Sequence, residues 1–426
     1  MSDKTKTTAT KEEATPALVP KLRFPEFRGA EGWKSKQLVA VCSKITQGGT
    51  PDTSNQEYWG GTINWMTPAE MGKADIPFIG ETNRTITELG LSDCASDLLP
   101  INSVILSVRA PIGHLAINMA PMAINQGCKG LIPGKSLNHH FLYSSLLWSK
   151  SRLVDLGAGN TFKELSSSAL KSFEIPIPSP TEQQKIAECL SSADELIAAQ
   201  ARKVDALKTH KKGLMQQLFP IEGETQPRLR FPEFQNDGEW EVKRLDELSR
   251  YENGKAHEND ISENGRYIVV NSKFISTEGK VRKFSNEGFC VADEGDVLMV
   301  LSDVPNGRAI AKCYFVESDD LYTVNQRICR IQPTKVNGSF LFYVLDKNSY
   351  FLGFDDGVKQ TNLRKEDVVG FPLCAPRESA EQHRIASCLS SLDTLITLET
   401  QKLEALKTHK KGLMQQLFPS PAEVET

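Results

Sequence analysis

The chain repeats itself, and that repeat constrains its architecture more than any other feature. Pro20-Lys21-Leu22-Arg23-Phe24-Pro25-Glu26-Phe27 returns as Pro227-Arg228-Leu229-Arg230-Phe231-Pro232-Glu233-Phe234, 207 positions later. Leu207 to Pro220 (Leu-Lys-Thr-His-Lys-Lys-Gly-Leu-Met-Gln-Gln-Leu-Phe-Pro) returns without a change from Leu406 to Pro419, 199 positions later. The copies therefore differ by a net eight residues between these anchors. Between them the likeness is faint. Val104 to Ile117, with Arg109-Ala110-Pro111-Ile112-Gly113, matches Val297 to Ile310, with Val304-Pro305-Asn306-Gly307-Arg308. Asn125-Gln126 matches Asn325-Gln326, and Ile175-Pro176-Ile177 matches Phe371-Pro372-Leu373. One fold carrying two different surfaces accounts for this pattern, with near-identical helices meeting a common partner.

At 426 residues the chain suits two domains plus connectors. The first nineteen residues, rich in Thr, Lys and Glu, read as a disordered tail and not as a signal peptide. No apolar run reaches the roughly 18 residues of a membrane span. Nine cysteines without a CxxC pair suggest reduced thiols in a cytoplasm. A net charge of −4 counts mildly against nucleic-acid binding, although an average hides a local basic face.

Each copy closes in a heptad. Ile186, Leu190, Ala193, Ile197, Gln200, Val204, Leu207, Lys211, Leu214 and Leu218 alternate steps of four and three. Ile385, Leu389, Leu392, Ile396, Glu399, Leu403, Leu406, Lys410, Leu413 and Leu417 do the same. A sustained 3.5-residue period is a coiled-coil seam. Thr181 with Gln184 resembles a capping box, Pro180 and Pro376 bar helix upstream, and Phe219-Pro220 and Phe418-Pro419 stop it. About 38 residues at 1.5 Å each give a rod of about 57 Å. The natural partner of each helix is the other, antiparallel about a pseudo-twofold axis. The polar seam positions Gln200 and Glu399 are expected to fix register; Lys211 and Lys410 either do so or tolerate solvent near a frayed end. The basic outer face (Lys203, Lys208, His210, Lys211, Lys212) is a solvated face or a docking surface.

The fold class expected is α+β: two tandem β-rich domains, each followed by a long helix. The boundaries read 1–19 tail, 20–180 first domain, 181–220 first helix, 221–226 linker, 227–376 second domain, 377–419 second helix and 420–426 tail. Trp33 and Trp240 are expected to pack on the cores. Strand-length runs are Thr62–Met66, Ser103–Val108, Gly130–Ile132, Tyr267–Val270, Asp296–Leu301 and Arg327–Ile331. Phe141–Asp155 and Phe340–Leu352 read as helical.

The first domain's polar turn Thr46-Gln47-Gly48-Gly49-Thr50-Pro51-Asp52-Thr53 is the most suggestive loop. Glycine lets backbone amides approach a phosphate, and Gln or Thr reaches base edges; an ordinary turn is the alternative. Arg109 and Gly159-Asn160-Thr161-Phe162-Lys163 are similar candidates. In the second domain Lys255, His257, Asn271, Lys273, Asn306, Arg308, Lys359 and Thr361 occupy corresponding loops.

Signs of chemistry are absent from the sequence: there is no GxxxxGK[ST], no HExxH and no GxSxG. No glycine-rich turn for S-adenosylmethionine or Asn-Pro-Pro-aromatic tetrad occurs. Asp237 with Glu241-Val242-Lys243 reads as a surface turn because its repeat counterpart lacks the carboxylates. His139-His140 has no ligand spacing, and Cys189 and Cys388 read as small buried residues.

With its strap, divergent domain, Ile175-Pro176-Ile177-Pro178 exit, Glu182-Gln183-Gln184-Lys185-Ile186-Ala187 helix start and a second copy containing Glu381-Gln382-His383-Arg384-Ile385-Ala386, the chain resembles the specificity subunits of type I restriction-modification systems. The second exit, Phe371-Pro372-Leu373-Cys374, departs from the pattern. The resemblance implies a non-catalytic subunit in a bacterial or archaeal cytoplasm. Each domain would read one half of an asymmetric bipartite site in double-stranded DNA, and the helices would set the spacer. Two modification subunits would dock around them and, through these, restriction subunits. S-adenosylmethionine, ATP and Mg would belong to those partners, with no cofactor, metal or membrane contact in this chain. A coiled-coil scaffold joining protein partners is the competing reading; a steep salt dependence of DNA binding separates the two.

Overall fold

The computed structural model describes residues 18–72, 76–158, 164–303, 309–319, 321–355 and 360–420. It divides into two compact units, Met1–Val204 with Glu399–Thr426, and Asp205–Leu398. Each unit therefore holds one β-rich domain, the first part of its own long helix and the last part of the other copy's helix. Among the described residues no helix is long and apolar enough to cross a membrane.

In the first unit, strands Cys42–Gln47, Cys128–Pro133, Val104–Ser107, Leu115–Asn118 and Phe78–Ile79 lie in that order in one sheet. A second sheet orders Thr85–Ile86, Trp59–Met66 and Met122–Ile124. Alternation along Val104–Ser107 sends Val104 and Leu106 to a core with Phe141, Leu142, Ile186 and Leu190, and Ile105 to a second core with Met122, Ile124 and Cys128. The second unit repeats this plan with Ser249–Asn253, Ile328–Pro333, Val297–Val300 and Cys313–Phe315 in one sheet. Phe284–Ser285, Tyr267–Val270, Tyr322–Val324 and Val291–Ala292 form the other. All six strand-length runs lie in or around observed strands. The matched segments slip after their first strand, however. Val104 pairs with Ile117, whereas Val297 pairs with Phe315, so Phe315 and not Ile310 is the counterpart of Ile117.

Each expected helical run is broken in two: His139–Trp148 and Lys150–Ala158, then Gly338–Leu345 and Ser349–Leu352. The long helices are Pro180–Leu218 and Ser379–Leu417. The first is capped by Ser179, whose hydroxyl accepts from the Glu182 amide at 3.3 Å. Pro180 thus stands inside the first turn, where its missing N–H costs nothing, and Thr181 with Gln184 makes no capping box. Every expected seam residue is buried or half-buried: Ile186, Leu190, Ile197, Val204, Leu207 and Leu214 on the first helix, and Ile385, Leu389, Ile396, Leu403, Leu406 and Leu413 on the second. Within the first unit Asp194 meets Lys410 and Gln200 meets Glu399, so those segments run antiparallel. In the second unit Lys211 meets Asp393. The lysines are thus partnered, not frayed.

The repeated strap and helix end have a common physical purpose. In the first unit Phe418 packs against Trp33, Phe141 and Trp148 at centroid distances of 5.9, 5.6 and 6.3 Å. In the second, Phe219 packs against Trp240 and Phe340 at 6.5 and 5.6 Å. Leu22 donates to the Gln416 carbonyl and Leu229 to the Gln217 carbonyl, both at 2.9 Å. Identical helix ends fit matching sockets, so their conserved apolar letters need no external partner. Lys208, His210 and Lys212 remain exposed.

Arg23 donates to both Glu182 oxygens at 2.8 and 2.7 Å, and Trp33 Nε1 donates to the same carboxylate at 3.2 Å. Arg230, Glu381 and Trp240 repeat this lock at 2.8, 2.7 and 3.4 Å. Two expected boundaries are firmer than loose chain. Leu18, within the assigned tail, is buried and its carbonyl accepts from the Trp33 amide; Thr225, within the assigned linker, receives the Trp240 amide in the same way. The rest of the N-terminal tail, and residues 421–426, lie outside the described residues. Asp237 is in a turn and Glu241 is on a surface strand paired with Lys243 and Arg377. Cys189 and Cys388, read as small buried residues, are half-buried free thiols.

Candidate nucleic-acid interface

One end of each domain is built on the same backbone frame. Gly48 follows the strand Cys42–Gln47, and its amide donates to the Cys128 carbonyl; the Gly49 amide donates to the Ile124 carbonyl. Gly254 and Lys255 do the same to Ile328 and Val324. A Cβ on Gly48 would lie 2.0 Å from the Asn125 carbonyl oxygen, and one on Gly254 2.1 Å from that of Asn325. These positions exclude a side chain because two backbones touch there. The glycine-rich turn is therefore a correction to the phosphate reading: the Gly48 and Gly49 amides are spent inside the sheet and are not free for a phosphate.

Around that frame the repeated Asn125 orders the turn. Its Nδ2 donates to Thr50 Oγ1 at 2.8 Å and its Oδ1 accepts from the Gly127 amide at 2.8 Å. The amides of Asn125 and Asn325 reach the carbonyls of Met66 and Val270. Immediately after those carbonyls stand two helix caps, Thr67, accepting from the Glu70 amide, and Asn271, accepting from the Phe274 amide. Asn271 was expected to face a ligand, but its side-chain oxygen is held by the helix it starts. His257 is fully buried, with Nε2 2.8 Å from Thr323 Oγ1, and is a core residue. Thr361 is buried and donates to Asp355 at 2.7 Å. Neither side chain faces solvent, so neither reads a base in this conformation.

What remains exposed differs between the units. The first presents Gln47 at the strand end, and Arg109, whose Nε is 3.1 Å from Glu164. The second presents Lys255 and Lys273. Asn160, Thr161, Lys163, Asn306, Arg308 and Lys359 lie outside the described residues. Sequence reasoning missed Lys129, which pairs across strands with Gln47, and the exposed Arg327 beside Asn325-Gln326. Asn125 was visible as a repeated residue, but its ordering role was not.

Comparison with known proteins agrees with this construction. The family described as type I restriction modification DNA specificity domain matches residues 30–209 and 237–408. The type I restriction enzyme MjaIX specificity subunit of Methanocaldococcus jannaschii is 35% identical over 52% of this chain and 52% of its own length. The EcoR124I/EcoR124II specificity subunit of Escherichia coli is 30% identical over 41% of this chain and 43% of its own. The matches thus span about half or less of these relatives' lengths. A crystal structure of the type I restriction-modification S subunit from M. genitalium shares the fold, with a TM-score of 0.61 at 16% identity over 95% of this chain and 100% of that one. With one match in each repeat, together covering most of the chain, the chain belongs to the type I restriction-modification DNA specificity family.

Proposed function

We propose that this chain gives a type I restriction-modification complex its DNA address and performs no catalysis itself. Each β-rich domain reads one half of an asymmetric bipartite site in double-stranded DNA. The long helices pair throughout as an antiparallel coiled coil that fixes the unread spacer. Two modification subunits dock on this frame, bringing S-adenosylmethionine for adenine methylation, and restriction subunits using ATP and Mg join through them in the cytoplasm. The observation that carries the reading is the common frame of Gly48/Asn125 and Gly254/Asn325 bearing unlike exposed side chains. Phosphate contacts position such a surface, and the variable side chains specify. Unequal domains imply an unequal pair of half-sites, in contrast to the palindromes of symmetric dimers.

The test is an adenine-methylation map of a methylation-free host carrying the modification subunit with or without this chain. A two-part asymmetric motif that depends on the chain is expected. No new methylation from a complex shown to assemble would overturn the reading.

A further inference from the structure

Lys129 stands in the strand Cys128–Pro133, opposite Gln47 on one neighbouring strand and Leu106 on the other. It shares a sheet face with Leu131, so its stem extends the apolar row that Leu131 begins. The residue is only 8% exposed, and among the described residues its ammonium makes no hydrogen bond or ion pair. A lysine so buried ordinarily has a carboxylate partner. Here the charged groups acting on it are Glu164, Arg109 and Lys171. Glu164 is already engaged by Arg109 at 3.1 Å. Two further cations thus act on Lys129, and the one carboxylate that opposes them is committed to Arg109. Burial lowers the Lys129 pKa, Glu164 opposes that, and Arg109 and Lys171 add to it. A bound anion would remove the cost of holding this charge.

We propose that Lys129, flanked by Arg109 and Lys171, is an anion seat that takes a phosphodiester group of the DNA backbone. This rests on the DNA-reading function proposed above. An ammonium is a point charge suited to a phosphate, whereas the exposed Gln47 next to it carries the donor and acceptor needed for a base edge. The seat belongs to the first unit only. Leu106–Lys129 corresponds to Met299–Cys329 in the strand pairing. The Leu165 amide bonds to Val108 as the Leu363 amide bonds to Leu301, which aligns Arg109 with Ser302. The Phe173–Leu170 and Phe371–Val368 bonds align Lys171 with Val369. Cys329, Ser302 and Val369 replace all three cations, so the two domains hold their half-sites' backbones by different means.

The experiment measures anisotropy of the full chain on a labelled duplex carrying the methylated motif and on a scrambled duplex, across a salt series. Lys129→Met keeps the stem and removes the charge; Lys129→Arg keeps the charge. Lys129→Met is expected to weaken both duplexes alike, by about tenfold at 0.1 M salt, and to reduce the salt slope by about 1. Lys129→Arg retains the slope, and Cys329→Met in the second unit leaves it unchanged. Lys171→Gln, at an exposed position, lowers the slope without disturbing the core. An unchanged slope in Lys129→Met and Lys171→Gln, while the wild type binds with a steep slope, overturns the seat and leaves the DNA-reading function standing. A wild type with no salt-dependent binding overturns both.

Discussion

The two junctions where a β-rich domain meets the long helices share one ion pair and differ in what the domain adds to it. In the first unit Lys410 donates to Asp194 at 2.5 Å with both side chains nearly buried. His140 Nε2 lies 3.5 Å from Asp194 Oδ2, and neither ring nitrogen has a hydrogen-bond partner. In the second unit Lys211 donates to both oxygens of Asp393 at 2.6 and 2.7 Å, and the Tyr343 hydroxyl completes the site at 2.7 Å. Burial, then Asp393, hold the Tyr343 phenol protonated as a donor. The lysine and aspartate come from the repeated helices and keep their contact; the third group comes from the divergent domain and changes. The helices therefore carry the ion pair common to both junctions, and each domain adds its own third group to it.

The largest expected effect lies where the two units agree. Glu182→Gln leaves the buried Arg23 guanidinium without its carboxylate, and Glu381→Gln does the same to the slightly more exposed Arg230. Each is expected to cost about 3–5 kcal/mol. Denaturant midpoints give the size, and hydrogen exchange in peptides of each unit gives the location. Equal losses confined to the mutated unit support two equivalent locks. A large loss at one site and none at the other breaks the equivalence.

A smaller effect lies where the units differ. Asp194→Asn leaves the nearly buried Lys410 without its partner and is expected to cost about 3 kcal/mol. Asp393→Asn sits at a site whose carboxylate is 40% exposed, and about 1 kcal/mol is expected. Tyr343→Phe should cost about 1 kcal/mol for its lost hydrogen bond, whereas His140→Phe should be close to neutral because the histidine nitrogens have no hydrogen-bond partner to lose. A destabilising His140→Phe would show that the imidazole does bond Asp194 in solution. The four variants read by the same denaturant series rank the two junctions directly.

Legibility in the sequence followed the range of the interaction. The helices, their seam and the strands were readable because periodicity and β-branched runs are local signals, as in Tyr267–Val270. The Arg23–Glu182 lock joins residues 159 positions apart and has no local signature, although the repetition of both residues pointed to it. The Gly48-Gly49 turn was visible but misjudged: a glycine needed for backbone contact with Asn125 looks the same, in sequence, as one needed for a phosphate. Asn271 was mistaken for a ligand-facing residue because a cap and a reader use the same side chain. Lys129 was passed over because a single lysine in a strand attracts no motif, and only its burial without a partner marks it.

The finest comparison is between Gln200 and Glu399, which are repeat counterparts of one another and bond to one another. Gln200 Nε2 donates to the Glu399 carboxylate at 2.6 Å and to its carbonyl at 2.9 Å, while Lys203 pairs with the same carboxylate. The Lys203 contact first, and Gln200 second, hold the Glu399 pKa below the ordinary carboxylate value. A depressed folded pKa means that the stabilisation is complete above the unfolded value and is lost as pH falls through the folded one. Glu399→Gln should therefore flatten the acid limb of the stability profile while leaving a neutral amide pair. Gln200→Glu makes the two copies identical here but sets two carboxylates together, so its destabilisation is expected at neutral pH and relieved as pH falls. Urea midpoints across pH 3 to 7 for the three proteins distinguish these slopes. An acid limb unchanged in Glu399→Gln would mean that the carboxylate contributes nothing to the seam, leaving register to Asp194–Lys410 in the first unit and Asp393–Lys211 in the second.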